Sequence, residues 1–298
     1  MRRRFTSTDG ILLLTVVIWA LNITITRYIL THGFQPLAYA AVRYGLATAI
    51  FVCLTLALER SLRIGGRAQL LQVAAAAFVL FLNQVCFVYA LKLTTATTVA
   101  LILGTMPVFA ALLSSLAGLE RMNRRFWVAA GVSFGGVALV AAGSGGDLSG
   151  HLAGILIAVG VSASWAAYSV AIAPLMRTYS PYRISAVVLM VMWVPLVLVA
   201  SPQIADQDLE LGWLVWLGFA FAVVGPLVLT NVLWFTAVHR VGPSRATLFA
   251  NLQPFLGALF AVVLLSEPLS ALQIVGGAGI AAGILLAGRR ATIAAPSE

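Results

Sequence analysis

The residues of this sequence that could do chemistry are uncharged amide and aromatic side chains inside long apolar runs. Asn22, for example, follows Trp19 by about one helical turn in a run that begins near Ile11. Polar side chains inside a membrane are costly, so in a spanning segment they indicate a functional site. Amides and hydroxyls can hydrogen-bond either charged end of an amino acid, and aromatic faces attract its ammonium group. The predicted substrate-binding residues are Trp19, Asn22, Asn83, Gln84, Tyr89, Thr98, Trp165, Tyr168, Asn231, Trp234, Asn251 and Gln253.

The same residue types also have interpretations that involve no ligand. Serine and threonine hydroxyls can bond back to their own helix, and asparagine or glutamine amides can hold neighbouring helices together. Tryptophan and tyrosine can lie in the interfacial belt of a membrane protein. Four other tryptophans fit that belt or simple packing better, and these are Trp127, Trp193, Trp213 and Trp216.

The sequence lacks the residues that catalysis or metal binding would need. Hydrolysis requires a nucleophile with a base, or a metal motif such as H-E-x-x-H, and the sequence has neither. A cation channel needs rings of acids, and a proton-coupled antiporter needs an acid deep inside the membrane. The acids of this sequence lie instead at the ends of apolar runs, and they are Asp9, Glu59, Glu120 and Glu267. We therefore predict no enzyme activity, no metal and no cofactor, and we favour facilitated movement or exchange over proton coupling.

Composition identifies the elements that must position these residues. The 298-residue chain is 61% hydrophobic and only 9% charged, whereas a soluble domain has about 25% charged residues. Its apolar runs approach the ~20 residues that a spanning helix needs, and they lack the alternation of a barrel strand. We predict an all-α integral membrane protein with ten transmembrane helices, at 10–31, 36–58, 68–91, 95–118, 124–142, 151–176, 181–200, 212–238, 243–265 and 270–288.

The distribution of charge predicts the orientation of these spans. The net charge of +9 does not form one basic stripe, so we predict no nucleic-acid partner. If the N-terminus is cytoplasmic, 15 of the 18 Lys and Arg residues lie in cytoplasmic ends or loops, and only Lys92 is left for the outer loops. This asymmetry is the positive-inside pattern. We therefore predict that both termini are cytoplasmic.

The two halves of the sequence resemble each other when they are offset by 147 residues. Glu120 then falls on Glu267, Pro107 on Pro254, and Gln84 on Asn231. Each half has five predicted spans, and an odd number means that the second copy enters the membrane from the opposite side. We predict two inverted five-helix repeats, residues 1–146 and 147–298, which is a recurring plan of transporters.

Two prolines and two arginines inside the spans have separate interpretations. Pro107 and Pro254 each remove a backbone hydrogen bond at equivalent positions of the repeats, so we predict hinges there, with static kinks as the alternative. Arg27 and Arg43 have no acid at their depth in the predicted spans. We expect both to snorkel to the membrane surface, and binding of a substrate carboxylate is the alternative.

The loop acids and the glycines of the last span in each half are predicted to stabilise the scaffold. We expect Glu120 and Glu267 to interact with the N-terminus of the helix that follows each of them. The alternative is that these acids latch a gate.

Small residues at four-residue spacing permit close packing of helices. We expect the glycines of the fifth and tenth spans to pack these two spans together inside one monomer, with a homodimer interface as the alternative. Those glycines are Gly131, Gly135, Gly136, Gly276, Gly279 and Gly283.

The chain resembles the EamA-type branch of the drug/metabolite transporter superfamily. The resemblance is carried by Trp19, Asn22 and Arg43 in the first two spans, by the proline spans, and by the loop acids. Within that superfamily the chain is similar to bacterial exporters of aromatic and other amino acids. The resemblance implies that spans 1, 3, 4, 6, 8 and 9 surround a central cavity, that spans 2 and 7 flank it, and that spans 5 and 10 are peripheral.

We predict from these observations an alternating-access carrier that exports or facilitates movement of amino acids and related small metabolites. Its expected partners are the lipid bilayer and the amino-acid substrate, its expected state is a monomer, and its expected location is the bacterial inner membrane. The alternative functions are a drug exchanger and an exchanger of nucleotide sugars or other organic anions.

Overall fold

The computed structural model describes residues 6–116, 124–144, 148–241 and 249–288, and these ranges are helical without any strand. Glu120 and the predicted start of the ninth span, 243–248, lie outside them. The helices are α1 Ser7–Thr31, α2 Pro36–Glu59, α3 Arg67–Leu93, α4 Ala96–Leu103, α5 Met106–Leu116, α6 Arg124–Gly143, α7 Leu148–Ile172, α8 Pro181–Ala205, α9 Trp213–Val223, α10 Thr230–Val241, α11 Gln253–Leu265 and α12 Ala271–Gly288.

Eight segments of the described chain are long and apolar enough to cross a membrane. They correspond to the first eight predicted spans. Two of the segments, Ala96–Leu113 and Trp213–Trp234, each contain more than one helix. Two shorter apolar helical segments, Gln253–Leu265 and Ala271–Leu286, correspond to the last two predicted spans.

The helix ends follow from local sequence signals. At the start of α1, the Thr6 side chain accepts from the Asp9 N–H while the Asp9 carboxylate accepts from the Thr6 N–H, which is a capping box. Helices α2 and α8 begin with Pro36 and Pro181, whose fixed φ suits the first helical turn. Helix α2 ends where Arg60 adopts a left-handed conformation with φ 54°.

The fourth and ninth predicted spans are interrupted at equivalent places. Instead of one helix over 95–118, α4 and α5 are separated by a turn at Gly104 and Thr105, just before Pro107. The chain also turns at residues 251–252, immediately before α11 and its Pro254. The two turns lie 147 residues apart and face each other, because a β-carbon on Gly104 would lie 3.4 Å from Pro254 Cγ.

The eighth predicted span is continuous but bulged. Between α9 and α10 the backbone forms a π-helical turn over Val224–Leu229, and the N–H of Thr230 bonds the carbonyl of Gly225, five residues back. Pro226 lies within this turn and has no N–H to donate. Such bulges occur frequently at functional sites.

Helices α6 and α12 pack along a glycine seam, as the spacing predicted. A β-carbon at Gly136 would lie 2.6 Å from the carbonyl oxygen of Gly276, so the two backbones touch. Gly279 and Gly283 also face α6. The prediction is wrong for Gly131 and Gly135 of α6, because no atom lies within 4 Å of a β-carbon built on either. Those two glycines face away from the seam.

Helices α2 and α8 are fastened to each other near both ends. At one end, Arg183 forms an ion pair with Glu59, with Nη2 and Oε2 2.8 Å apart. At the other end, the N–H of Leu37 donates to Gln203 Oε1 over 2.7 Å. These bonds hold α2 against α8 near both ends of the pair.

Candidate functional site

A central cavity of about 300 Å³ lies among α1, α2, α3, α7, α8 and the bulged segment from α9 to α10. The cavity is apolar on most sides and carries a few hydroxyl and amide groups, which is the usual composition of a small-molecule site. Its lining consists of Trp19, Tyr44, Phe51, Leu80, Trp165, Tyr168, Ser169, Ile172, Met176, Pro181, Ile184, Ser185, Leu189, Pro226, Leu227, Thr230, Asn231 and Trp234.

Two aromatic pairs belong to this lining. Trp19 of α1 and Trp234 of α10 lie with ring centroids 5.1 Å apart. Trp165 and Tyr168 of α7 lie with centroids 5.7 Å apart. The Trp19 indole N–H donates to Thr230 Oγ1 over 2.8 Å, which fixes the first pair in orientation. Aromatic faces in such an arrangement can stack on an apolar ligand and attract a cation.

The polar groups of the cavity are neutral. Asn231 Nδ2 donates to Ser185 Oγ over 3.4 Å, and the Asn231 carbonyl oxygen is buried with no hydrogen-bond partner among the described residues. No lining residue found within the described ranges is charged. The cavity can therefore hydrogen-bond a neutral or zwitterionic ligand, but it offers no fixed charge to neutralise an anion.

The structure brings together five of the residues that the sequence singled out. Trp19, Trp165, Tyr168, Asn231 and Trp234 come from three helices and line one cavity. Their common signal is a large aromatic or amide side chain in the middle of an apolar run, although the three runs are far apart in sequence.

Three of the predicted residues on α3 make hydrogen bonds within the helix bundle and are absent from the lining of the cavity. Asn83 Nδ2 donates to the carbonyl of Val161 over 2.9 Å, and Gln84 Nε2 donates to Asn83 Oδ1 over 2.8 Å. The Tyr89 hydroxyl accepts from Gln203 Nε2 over 3.1 Å. Asn83 and Tyr89 thus hold α3 against α7 and α8, which is the alternative considered for these residues, whereas the Gln84 amide supports Asn83 within α3.

Thr98 and the two residues near the start of α11 also lie outside the lining. The Thr98 hydroxyl accepts from Gln273 Nε2 over 3.2 Å and so joins α4 to α12. Asn251 lies in the turn before α11, and Gln253 is the first residue of that helix. Both side chains are half-buried. The sequence analysis placed both residues inside one continuous ninth span and did not predict the turn at 251–252.

Asn22 and Arg43 form a polar cluster beside the cavity. Arg43 is 3% exposed, so the expectation that it snorkels to the surface is wrong. Its Nη2 donates to Asn22 Oδ1 over 3.3 Å, and its Nε donates to the carbonyl of Ala222 over 2.9 Å. Asn22 therefore faces α2 and its guanidinium, which explains why it does not line the cavity.

The cavity also contains residues that the sequence analysis did not single out. Tyr44, Ser169, Ser185 and Thr230 supply hydroxyl groups to it. The helices expected only to flank the cavity, α2 and α8, contribute to its lining, whereas α4, α5 and α11 contribute no lining residue in the described ranges. The serines and the threonine among these residues could not be predicted as cavity residues from their type alone, because serine and threonine are frequent in apolar helices.

Glu267 bonds the start of α4. Its carboxylate accepts from the N–H groups of Ala96 and Thr97, at 2.9 and 2.8 Å, and from the Thr97 hydroxyl at 2.8 Å. It thus caps the N-terminus of α4, and the expectation that it interacts with the helix following it is wrong. Arg27 Nε lies 4.0 Å from Glu267 Oε1.

Arg27 also bonds the end of α3. Its Nη1 donates to the carbonyls of Leu91 and Lys92, at 2.5 and 3.0 Å. The expectation that Arg27 has no acid at its depth is wrong, because Glu267 reaches it from the loop before α12. Arg27 and Glu267 together join α1, α3, α4 and that loop, and we call this set of contacts the Glu267 latch.

Comparison with known proteins gives a consistent result over the whole chain. A profile of the EamA-like transporter family matches residues 6–142 and again residues 152–289. The chain is 26% identical over 273 residues to the "Uncharacterized transporter YyaM" of Bacillus subtilis (strain 168), covering 85% of each protein. It is 28% identical over 271 residues to the "Uncharacterized inner membrane transporter YedA" of Escherichia coli (strain K12), covering 89% of this chain and 85% of that protein.

A solved crystal structure shares the fold. It superimposes on 95% of this chain and 99% of its own length with a TM-score of 0.63, at 20% sequence identity. At that identity the similarity extends to the fold alone.

Proposed function

Because this chain belongs to the EamA-like transporter family of membrane proteins, we propose that it is an alternating-access carrier of amino acids, aromatic and other hydrophobic ones above all. The observation that carries the proposal is the uncharged cavity with its two aromatic pairs and its amide and hydroxyl groups. Its volume of about 300 Å³ is at the lower end of the range for small-molecule pockets.

The lining matches the parts of such a substrate. The faces of Trp19 and Trp234 can hold an aromatic side chain or attract an ammonium group. The hydroxyls of Tyr44 and Tyr168 can donate to a carboxylate, and the Asn231 carbonyl can accept from an ammonium. Because a zwitterion has no net charge, it requires no fixed countercharge in the site.

The composition of the lining disfavours the alternative substrates. An exchanger of nucleotide sugars or other organic anions needs cationic side chains in the cavity, and the described lining has none. Proton-coupled drug export needs a titratable acid there, and the described lining likewise has none. We therefore favour transport down the substrate's own gradient, or exchange, as the energetic mode.

We infer that the protein has ten spans in two inverted five-helix repeats, with both termini in the cytoplasm. The family profile matches twice along the chain, and the turns at 104–105 and 251–252 lie 147 residues apart. Both observations support the repeats. The excess of arginine on one side of the membrane supports the orientation, and Pro107 and Pro254 are the hinges of this proposal.

In this orientation the cavity faces the cytoplasm. Met176, in the connection between α7 and α8, and Pro181, the first residue of α8, line it at the cytoplasmic side, whereas the Glu267 latch lies on the outer side. The resemblance to an inner membrane transporter of Escherichia coli supports placement in the bacterial inner membrane. We propose that the monomer is the transporting unit, because the glycine seam joins α6 and α12 of one chain.

The test is uptake of labelled amino acids into proteoliposomes, with and without an imposed pH gradient. We expect saturable uptake of phenylalanine that methionine and alanine inhibit, with no need of a gradient. Trp165→Leu should raise the KM, whereas the matched control Trp213→Leu, at a 76% exposed position, should not change it. Absence of uptake of every amino acid under both conditions would refute the substrate assignment.

A further inference from the structure

The buried guanidinium of Arg43 lies beside the cavity but does not line it. It is 3% exposed, and no ion pair joins it to a carboxylate within the part of the chain that the structure describes. A charge buried in this way is costly unless hydrogen bonds compensate it. The groups that accept those hydrogen bonds therefore indicate what the residue does.

One of these groups is a carbonyl that lacks its usual donor. In an α-helix the carbonyl of Ala222 would accept from the N–H of residue 226, but that residue is Pro226 and has no N–H. Arg43 Nε donates to this carbonyl over 2.9 Å. Arg43 on α2 thus replaces a hydrogen bond that the sequence of the bulged helix cannot make for itself.

Helix α1 holds the same bulge from a second point. Asn22 accepts from Arg43 Nη2 over 3.3 Å, and Trp19, one turn earlier, donates to Thr230 Oγ1 over 2.8 Å. The Thr230 hydroxyl donates in turn to the carbonyl of Pro226 over 2.6 Å. Ala222, before the π-helical turn, and Thr230, after it, are therefore both bonded to side chains of neighbouring helices.

The surroundings of the guanidinium keep it in place. Its central carbon lies 5.7 Å from the ring centre of Tyr39 and 5.5 Å from that of Tyr44. Contacts of this kind stabilise a buried cation. Since Tyr44 also lines the cavity, the Arg43 cluster is continuous with the proposed substrate site.

We propose that Arg43 is a positioning residue for substrate binding. By bonding the carbonyl of Ala222 it holds the bulge at Val224–Leu229, and the bulge sets the direction in which α10 presents Asn231 and Trp234 to the cavity. This role rests on the proposed function, because it assumes that the cavity is where the substrate binds.

The test is a double-mutant cycle of Arg43→Gln with Pro226→Ala in lipid nanodiscs. Two quantities are measured: amide hydrogen exchange of residues 222–231, and the dissociation constant of phenylalanine. Arg43→Gln should make amide exchange of residues 222–231 about tenfold faster and phenylalanine binding about tenfold weaker. This is the size of effect expected when one hydrogen bond from a charged donor is lost. In the Pro226→Ala background the same substitution should have little further effect, because the introduced alanine returns an N–H to the carbonyl.

Two further variants separate this role from a general loss of structure. Arg43→Lys keeps the charge and one donor group, so it should restore part of the binding and of the protection from exchange. Arg183→Gln is the matched control at a partly exposed site on α8, and it should leave exchange of residues 222–231 unchanged.

Each outcome decides something different. Additive effects in the cycle, or unchanged exchange in Arg43→Gln, would overturn the positioning role. Loss of phenylalanine binding without loss of 2-phenylethylamine binding, at unchanged exchange, would mean that Arg43 binds the carboxylate itself, and this too would overturn it. If the wild-type protein binds no phenylalanine, the proposed substrate fails, while the exchange measurements still decide whether Arg43 holds the bulge.

Discussion

In the proposed orientation, removing the Glu267 carboxylate should open the outer side of the protein. Three donors at the start of α4 bond this carboxylate, and its side chain is only 10% exposed. A helix cap contributes about 1 kcal/mol, and a negative charge at a helix N-terminus adds up to about 1 kcal/mol. These contacts are expected only in the conformation that is closed to the outside. Glu267→Ala should therefore shift the equilibrium toward the outward-open conformation by about 2 kcal/mol, which is roughly thirtyfold.

Thiol labelling measures this shift. Thr24 lies on α1 between Trp19 and Arg27 and is 1% exposed, so Thr24→Cys reports access from the outside in a protein lacking its two free cysteines, Cys53 and Cys86. An impermeant maleimide added to cells should label this cysteine roughly thirtyfold faster when Glu267→Ala is present, if labelling follows the open fraction.

The matched control for this experiment is Glu210→Ala, which removes an exposed carboxylate from the loop before α9. It should leave the labelling rate unchanged. Equal labelling rates with and without Glu267 would refute the reasoning, since they would mean that the Glu267 latch does not hold the outer side closed.

Three further predictions concern the seam, the cavity and a hinge. Gly136→Val should lower the free energy of unfolding by about 1–3 kcal/mol through overpacking, whereas Gly131→Val, where a β-carbon meets no atom within 4 Å, should not change thermal stability. Trp19→Phe keeps an aromatic ring but removes the bond to α10, so the dissociation constant of phenylalanine should rise about fivefold; an unchanged constant would contradict the cavity geometry. Pro254→Ala lets a helix continue through 251–252, and it should slow counterflow in proteoliposomes without changing substrate affinity.

Much of the architecture and part of the cavity were predictable from the sequence. Span length and composition identified the helices, because apolar runs of about 20 residues have few other uses. Trp165, Tyr168 and Asn231 were predictable as residues of the cavity lining, because large aromatics and amides inside a span are unusual; their role in binding stays a prediction. The turn before Pro107 was not predicted as a full break between helices, since proline alone does not reveal whether a helix bends or ends.

The remaining site residues depend on contacts that sequence spacing does not reveal. Asn83 has the type and depth of a cavity residue, but the neighbouring α7 offers it a carbonyl at 2.9 Å. Arg43 was expected to reach the surface because no acid lies at its depth in the predicted spans, whereas its acceptor is the carbonyl of Ala222, 179 residues away along the chain. Glu267 was expected to cap the nearest helix, whereas it caps α4, about 170 residues earlier.

The distance in sequence between Arg43 and Ala222 also has a consequence for how the chain enters the membrane. During synthesis at about 5–20 residues per second, the carbonyl partner, 179 residues later, emerges roughly 10–35 seconds after the guanidinium. Arg43 is the eighth of the 24 residues of α2, and an arginine inside a span makes insertion of an isolated helix less favourable by up to about 3 kcal/mol. Asn22 on α1 is the partner already synthesised, so α1 and α2 should leave the insertion machinery together, as a hairpin, before the second half of the chain exists.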